Sequence, residues 1–148
     1  MPLWRVYQPE GFFSATEQAN IAQAITQLYL PGLPAFYVNV LFVPLPPGNV
    51  FIGAQPRTNF VRLVGEHIAR NYGGDKDRMA AFMKRLTAAV GDIMKSKKAD
   101  WEAHIAETPF DLWTVNGMRP PAPGSEGEKL WTKENRAVRF HLDDIRTW

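Results

Sequence analysis

Residues 2–43 read PLWRVYQPEGFFSATEQANIAQAITQLYLPGLPAFYVNVLFV, and three successive patterns within them set the fold. Residues 3–8 read as a short strand, with Leu3, Trp4 and Val6 available for burial, broken by Pro9-Glu10-Gly11. Ser14-Ala15-Thr16-Glu17 has the form of a capping box: the Ser hydroxyl accepts from the Glu backbone amide and the Glu carboxylate reaches back. Behind it Ile21, Ile25 and Leu28 recur at spacings of four and three, one face of a helix that Pro31-Gly32 ends. Residues 36–43 are a nearly continuous run of Val and aromatic residues, which predicts a strand buried on both faces beside a parallel partner. The stretch is a β-α-β unit.

Working outward, residues 44–48 turn the chain and residues 49–52 form a short hairpin arm. Residues 59–69 are strand-like, and Gly73-Gly74-Asp75 leads into a helix over 76–98. Met79, Met83, Leu86, Val90 and Ile93 mark its expected buried stripe, and Lys95, Lys97 and Lys98 complement the dipole at its end. Residues 101–107 make a fourth strand, stopped by Pro109. The plan is β-α-β repeated: an α/β (α+β) fold with a four-stranded sheet and two helices on one face. Sequence places unit one at about 2–53, unit two at about 59–109 and a C-terminal loop and helix at 110–148, all in a single domain spanning 1–148. Residues 119–129 read as a Pro- and Gly-rich loop. Val138, Leu142 and Ile145 then give the tail a helical spacing suited to docking on a neighbouring surface. The second sheet face has no helix to cover it, which predicts a symmetric oligomer.

Composition narrows the function classes. Apolar types make up 45% of the chain and aromatics 12%, enough for a real core. A net charge of +2 argues for neither nucleic acid nor an anionic membrane as partner. With no cysteine, thiolate nucleophiles, disulfides and cysteine–zinc sites are excluded. His67, His104 and His141 lack metal-ligand spacing, and Gly73-Gly74 lacks the Lys-Ser/Thr of a phosphate loop. No apolar run reaches the roughly 20 residues of a membrane-spanning helix, and residues 1–5 do not open a signal peptide, so a cytoplasmic protein is expected.

One residue stands out chemically. Pro2 becomes a free secondary amine when Met1 is removed, and a free α-amino group titrates near about 8. Burial and nearby cations both disfavour its charged form. A neighbouring arginine would therefore bind an anionic substrate and also bring the amine toward neutrality, where it can act as a base.

Pro2 opening a strand ahead of paired β-α-β units resembles the tautomerase superfamily, and more closely the cis-3-chloroacrylic acid dehalogenase group. The match is carried by Ala24-Ile25-Thr26, Asn49-Val50-Phe51-Ile52-Gly53, Glu107-Thr108-Pro109 and Pro121-Ala122-Pro123-Gly124-Ser125-Glu126-Gly127-Glu128, in that order. The resemblance implies a homotrimer, no cofactor, an amino-terminal proline acting as acid or base, and arginines holding a substrate carboxylate. Carried over, the proline is Pro2 and the first arginine is Arg70, with Arg62 and Arg57 as candidates for the second. If residues 59–70 formed one regular strand, the even separation of Arg62 and Arg70 would put them on one face. The family's helix histidine falls on Tyr29, its fourth-strand tyrosine on His104, and its water-activating glutamate on Val115, beside Asn116. Tyr29, His104 and Asn116 are expected to shape the site.

The expected function is cofactor-independent tautomerisation of a small 2-oxo or unsaturated carboxylic acid. Two rivals stand beside it. One is a dehalogenase or hydratase of small unsaturated acids, which needs a water-activating group that valine cannot supply. The other is a trimeric member of the fold without catalysis.

Overall fold

In the computed structural model, residues 1–68 and 70–140 are described. Strand β1 (Pro2–Pro9) leads into helix α1 (Ala15–Gln27), and a 3-10 turn (Ala35–Tyr37) then introduces strand β2 (Asn39–Leu45). Strands β3 (Phe51–Ile52) and β4 (Gln55–Pro56) form a small hairpin. Strand β5 (Phe60–His67), helix α2 (Lys76–Ser96) and strand β6 (Asp100–Glu107) complete the second unit. A 3-10 turn (Phe110–Leu112) and helix α3 (Glu126–Glu134) follow.

The main sheet has the order β2-β1-β5-β6. Each unit pairs its own strands in parallel, and the units meet through antiparallel β1 and β5. This antiparallel seam sets Pro2 directly opposite His67, so the start of the first strand lies beside the end of the third. Alternation does the rest. Pro2, Trp4 and Val6 on β1, and Val61, Leu63, Gly65 and His67 on β5, are buried under the helices. Ile21 and Ile25 from α1 and Phe82, Leu86, Val90 and Met94 from α2 close the same core.

Local chemistry explains the helix starts. Both bonds of the Ser14–Glu17 capping box form, and Asp75 caps α2 by accepting from the Arg78 amide. At Gly65 a Cβ would lie 2.9 Å from two atoms of the Trp4 ring, so the absence of a side chain is what lets that indole lie flat across β5.

Several sequence expectations are corrected. The third pattern begins later, at Asn39, because Phe36 and Tyr37 turn into a second core with Leu33, Trp113 and Trp131. β2 is parallel as expected but forms an edge of the sheet, and none of its residues is fully buried in the protomer. Its edge position is also what accommodates Pro44. The buried stripe of α2 is Phe82, Leu86, Val90 and Met94; Met83 and Ile93 only flank it, and Met79 lines a groove beside Ile105. Expected loop residues 126–129 are the first turn of α3, capped by Ser125, whose hydroxyl accepts from the Glu128 amide. Leu142 and Ile145 lie outside the described residues, as does residue 69.

The opposite sheet face carries Leu3, Arg5, Tyr7, Leu41, Arg62, Val64, Glu66, Glu102 and His104, and no helix of the protomer covers it. Ion pairs Arg5–Glu66 and Arg62–Glu102 cross the strands there.

Candidate functional site

The antiparallel seam and the helix directions bring several segments to one end of the sheet: the start of β1, the residue after α1, the end of β5 and the first turns of α2. They enclose a cavity of about 280 Å³ whose lining includes Pro2, Tyr29, His67, Arg70, Tyr72 and Arg85. Phe82 forms part of its apolar floor, and Arg78 and Arg85 lie over the Tyr72 and Phe82 rings at 5.8 and 5.5 Å. Three arginines on one small cavity give it a positive wall.

The amino terminus opens into this cavity. Met1 keeps the sheet ladder going, its carbonyl accepting from the Ile68 amide at 3.0 Å. Its amine is pulled from about 8 down to about 4, first by burial and then by the positive charge of Arg70, with Glu128 pushing the other way. Pro2, one residue on, is buried and lines the same cavity.

Arg70 is held from below. Its Nη2 donates to both carboxylate oxygens of Glu128, each at 3.0 Å. Glu128 is 8% exposed, and its Oε2 also accepts from the Gly124 amide at 2.7 Å. α3 thus anchors the guanidinium, and the second core fixes α3 through Trp131, which donates from Nε1 to the Val138 carbonyl. At Gly127 a Cβ would meet Phe140 at 2.7 Å and Pro121 at 2.8 Å, so this helix packs with no space to spare.

A second chain of contacts is neutral. Trp4 Nε1 donates to the Tyr29 hydroxyl at 3.0 Å, and that oxygen lies 2.7 Å from His67 Nε2. Among the described residues these are the two side-chain hydrogen bonds of Tyr29. The indole can only donate, so Tyr29 accepts there and its own proton goes to His67. The reverse arrangement would leave the Tyr29 proton with no protein acceptor among the described residues. This pairing favours an unprotonated Nε2 and a protonated Nδ1 on His67. Burial pushes the His67 imidazole down to about 4, against the opposing pull of Glu107, with the terminal amine assisting. Burial likewise raises Tyr29 well above the ordinary phenol range and Tyr72 to about 12. Glu107 is occupied by the Tyr72 amide, which donates to its Oε1 at 2.6 Å.

Of the residues singled out from sequence, the structure brings Pro2, Tyr29 and Arg70 together at this cavity. Arg62 does not share a face with Arg70 along a continuous strand, because β5 ends at His67. Arg62 and His104 lie on the open sheet face, where Arg62 pairs with Glu102 at 2.7 Å. Asn116 sits at φ 50° in the exposed turn between Val115 and Met118, followed by Gly117 at φ 73°, and Val115 packs on the second core. Arg57 follows the small hairpin, its amide donating to the Val50 carbonyl. Sequence reasoning did not place the cavity residues His67, Tyr72, Arg78 and Arg85, nor Glu128, which supports Arg70. Among the described residues no cluster of His, Asp or Glu is arranged to hold a metal ion, and no helix is long and apolar enough to cross a membrane.

Comparison with known proteins gives the family and the fold. Residues 1–136 match the model of a family described as "Putative oxalocrotonate tautomerase enzyme". A structure described as "a probable enzyme" from the thermophilic fungus Aspergillus fumigatus is 45% identical, with 95% of this chain and 98% of that chain covered and a TM-score of 0.87. The D106A mutant of RhCC from Rhodococcus jostii RHA1 is 38% identical, with 95% and 94% covered and a TM-score of 0.89. N1, a member of the cis-3-chloroacrylic acid dehalogenase family, shares the fold at 20% identity, with 89% and 96% covered and a TM-score of 0.71. A comparison with curated proteins gives no match.

Proposed function

The chain belongs to the oxalocrotonate tautomerase-like family whose model spans residues 1–136, and on that premise we propose that it is a cofactor-independent tautomerase of small 2-oxo or enol carboxylic acids. Pro2, freed by loss of Met1, is the acid/base. The observation that carries this reading is the amino terminus itself: Met1 and Pro2 both line the arginine-walled cavity, where burial and Arg70 lower the Met1 amine, the same two influences a freed Pro2 amine would meet. An amine kept neutral at working pH can take a proton, and one already inside the cavity has no distance to cover.

Arg70, set in place by Glu128, binds the substrate carboxylate, and Arg78 and Arg85 draw the anion in. Pro2 nitrogen removes the enol O–H proton and delivers it to the adjacent carbon, so the amine ends neutral and the product is the ketone. Tyr29 shapes the cavity rather than exchanging protons, since its phenol is raised beyond reach of neutral pH. The assembly is a homotrimer packed through the open sheet face, which sets Arg62 and His104 of one subunit against another.

The test is ketonisation of phenylenolpyruvate by protein whose intact mass shows that Met1 is gone. The expected result is a rate well above buffer that falls about 10²-fold or more in Pro2→Ala. Protein retaining Met1 has an amide at Pro2 and is expected to be inactive. A rate no higher than buffer removes the general tautomerase reading and leaves a member of the fold without this chemistry.

A further inference from the structure

The Trp4–Tyr29–His67 chain needs a purpose that the proposed reaction has not used. It joins three segments, from β1 to the turn after α1 to the end of β5, and it ends at the residue directly opposite Pro2. Its effect is directional. Each partner hands one proton along, and the last nitrogen left carrying a proton is His67 Nδ1. Among the described residues His67 makes one side-chain hydrogen bond, the one from Tyr29 at Nε2. The residue is 6% exposed and lines the cavity. Its Nδ1 is not among the buried atoms that lack a partner, so this nitrogen keeps accessible surface, where an acceptor brought by a ligand can meet it.

Resting on the tautomerase reading above, we infer that His67 is a second catalytic residue, whose Nδ1–H holds the oxygen at carbon 2 of the substrate while Pro2 moves the proton. When Pro2 nitrogen has taken the enol proton and not yet delivered it, that oxygen carries the negative charge of an enolate. A fixed donor aimed at developing charge stabilises the transition state more than the ground state. A neutral imidazole suits this task because it donates without giving its proton up. The imidazole proton is not consumed: it stays on Nδ1 throughout, and the only proton transferred runs from oxygen through Pro2 to carbon. Tyr29 is a positioning residue, acting through His67 by fixing the tautomer. Trp4 in turn fixes Tyr29, and Gly65 leaves room for Trp4. The substrate class is thereby narrowed to acids with an enolisable oxygen beside the carboxylate.

Two substitutions separate this role from a structural one. In His67→Gln the amide carbonyl stands near the old Nε2 and still accepts from Tyr29, but the Nδ1 donor is lost. In His67→Asn the amide nitrogen stands near the old Nδ1 and keeps a donor there. The expected result, in Met1-free protein with phenylenolpyruvate, is a fall in kcat of about 10²-fold in His67→Gln with KM little changed, and partial recovery in His67→Asn. A kcat in His67→Gln within threefold of the parent overturns the assignment.

A second readout does not depend on turnover or on either variant folding. In the unsubstituted protein, 15N NMR is expected to show His67 as the Nδ1–H tautomer, with the Nδ1 resonance moving on saturation with phenylpyruvate. Tyr29→Phe is expected to mix the tautomers. An Nε2–H tautomer, or an Nδ1 resonance unmoved by phenylpyruvate, overturns the inference. Ligand-induced movement of Nδ1 in a protein with no ketonisation above buffer would keep the donor assignment and sink the tautomerase reading, so the two failures are distinct.

Discussion

The two ends of the sheet are built alike and are chemically opposite. Both central strands have eight residues, so laying unit two on unit one start to start puts Phe60 where Pro2 stands and Pro9 where His67 stands. The helices superpose in the same way: Ile21 and Ile25 of α1 correspond to Phe82 and Leu86 of α2, all buried. Glu17 then corresponds to Arg78; α2 is the longer helix, with 21 residues against 13, so Lys98 matches Tyr29 only in standing two residues past its helix. At one end these positions supply a proline, an imidazole, a phenol and an arginine around a cavity. At the other they supply a phenyl ring, a proline, a lysine and a glutamate already engaged in its own helix cap. The β-α-β repeat provides two similar frames, and the side chains at their ends decide which end carries the arginine-lined cavity.

The first way to break this comparison is through what the ends share. Ile25 and Leu86 occupy equivalent places in one core, both 0% exposed. Ile25→Ala and Leu86→Ala are each expected to lower stability by about 2–5 kcal/mol in urea titrations. Costs differing by more than that range between the two would show that the halves are not equivalent supports.

The next is specific to the site end. His67 is neutral in the fold down to about pH 4, whereas an imidazole in the unfolded chain takes a proton near 6.5. Between those values the unfolded state binds more protons, so stability is lost as pH falls through that window. The loss from His67 is on the order of 3 kcal/mol. Urea midpoints measured from pH 7 to 4 are expected to fall, and His67→Gln, which cannot titrate, is expected to flatten that share of the slope. An unchanged slope would mean that the imidazole is protonated in the fold, contrary to its place in the Trp4–Tyr29–His67 chain.

The comparison also explains what could be read from sequence. The capping box, the two β-α-β units and the covered sheet face rest on neighbours in sequence or on periodicity, and these were legible. Pro2 drew notice from sequence because an amino-terminal proline has distinctive chemistry, and the structure sets it on the cavity wall. His67 was not, since its meaning depends on standing opposite Pro2 across the antiparallel seam, and a lone histidine carries no such signal. Glu128 was visible only as part of a matching stretch, and its role needs a contact 58 residues away with Arg70. The α2 stripe was displaced because Met79 and Met83 fit a helical face as well as Phe82 and Met94 do, and only packing chooses between them. The strand that was to align Arg62 with Arg70 stops where the chain bends away after His67.

The smallest expected effect is the sharpest check on the silent end. There Lys97 lies 3.4 Å from Glu17 and 5.5 Å over the Phe12 ring, tying the end of α2 to the start of α1. Both charges are partly exposed, and such pairs are weak because water screens them and two long side chains must be ordered. Lys97→Ala is therefore expected to move the thermal midpoint by no more than about 2 °C. Phenylenolpyruvate turnover is expected to stay within about twofold of the parent, since neither Lys97 nor Glu17 lines the cavity. Turnover falling tenfold or more with the midpoint unmoved would mean that this end is not chemically silent, and that the two frames communicate through the helices they share.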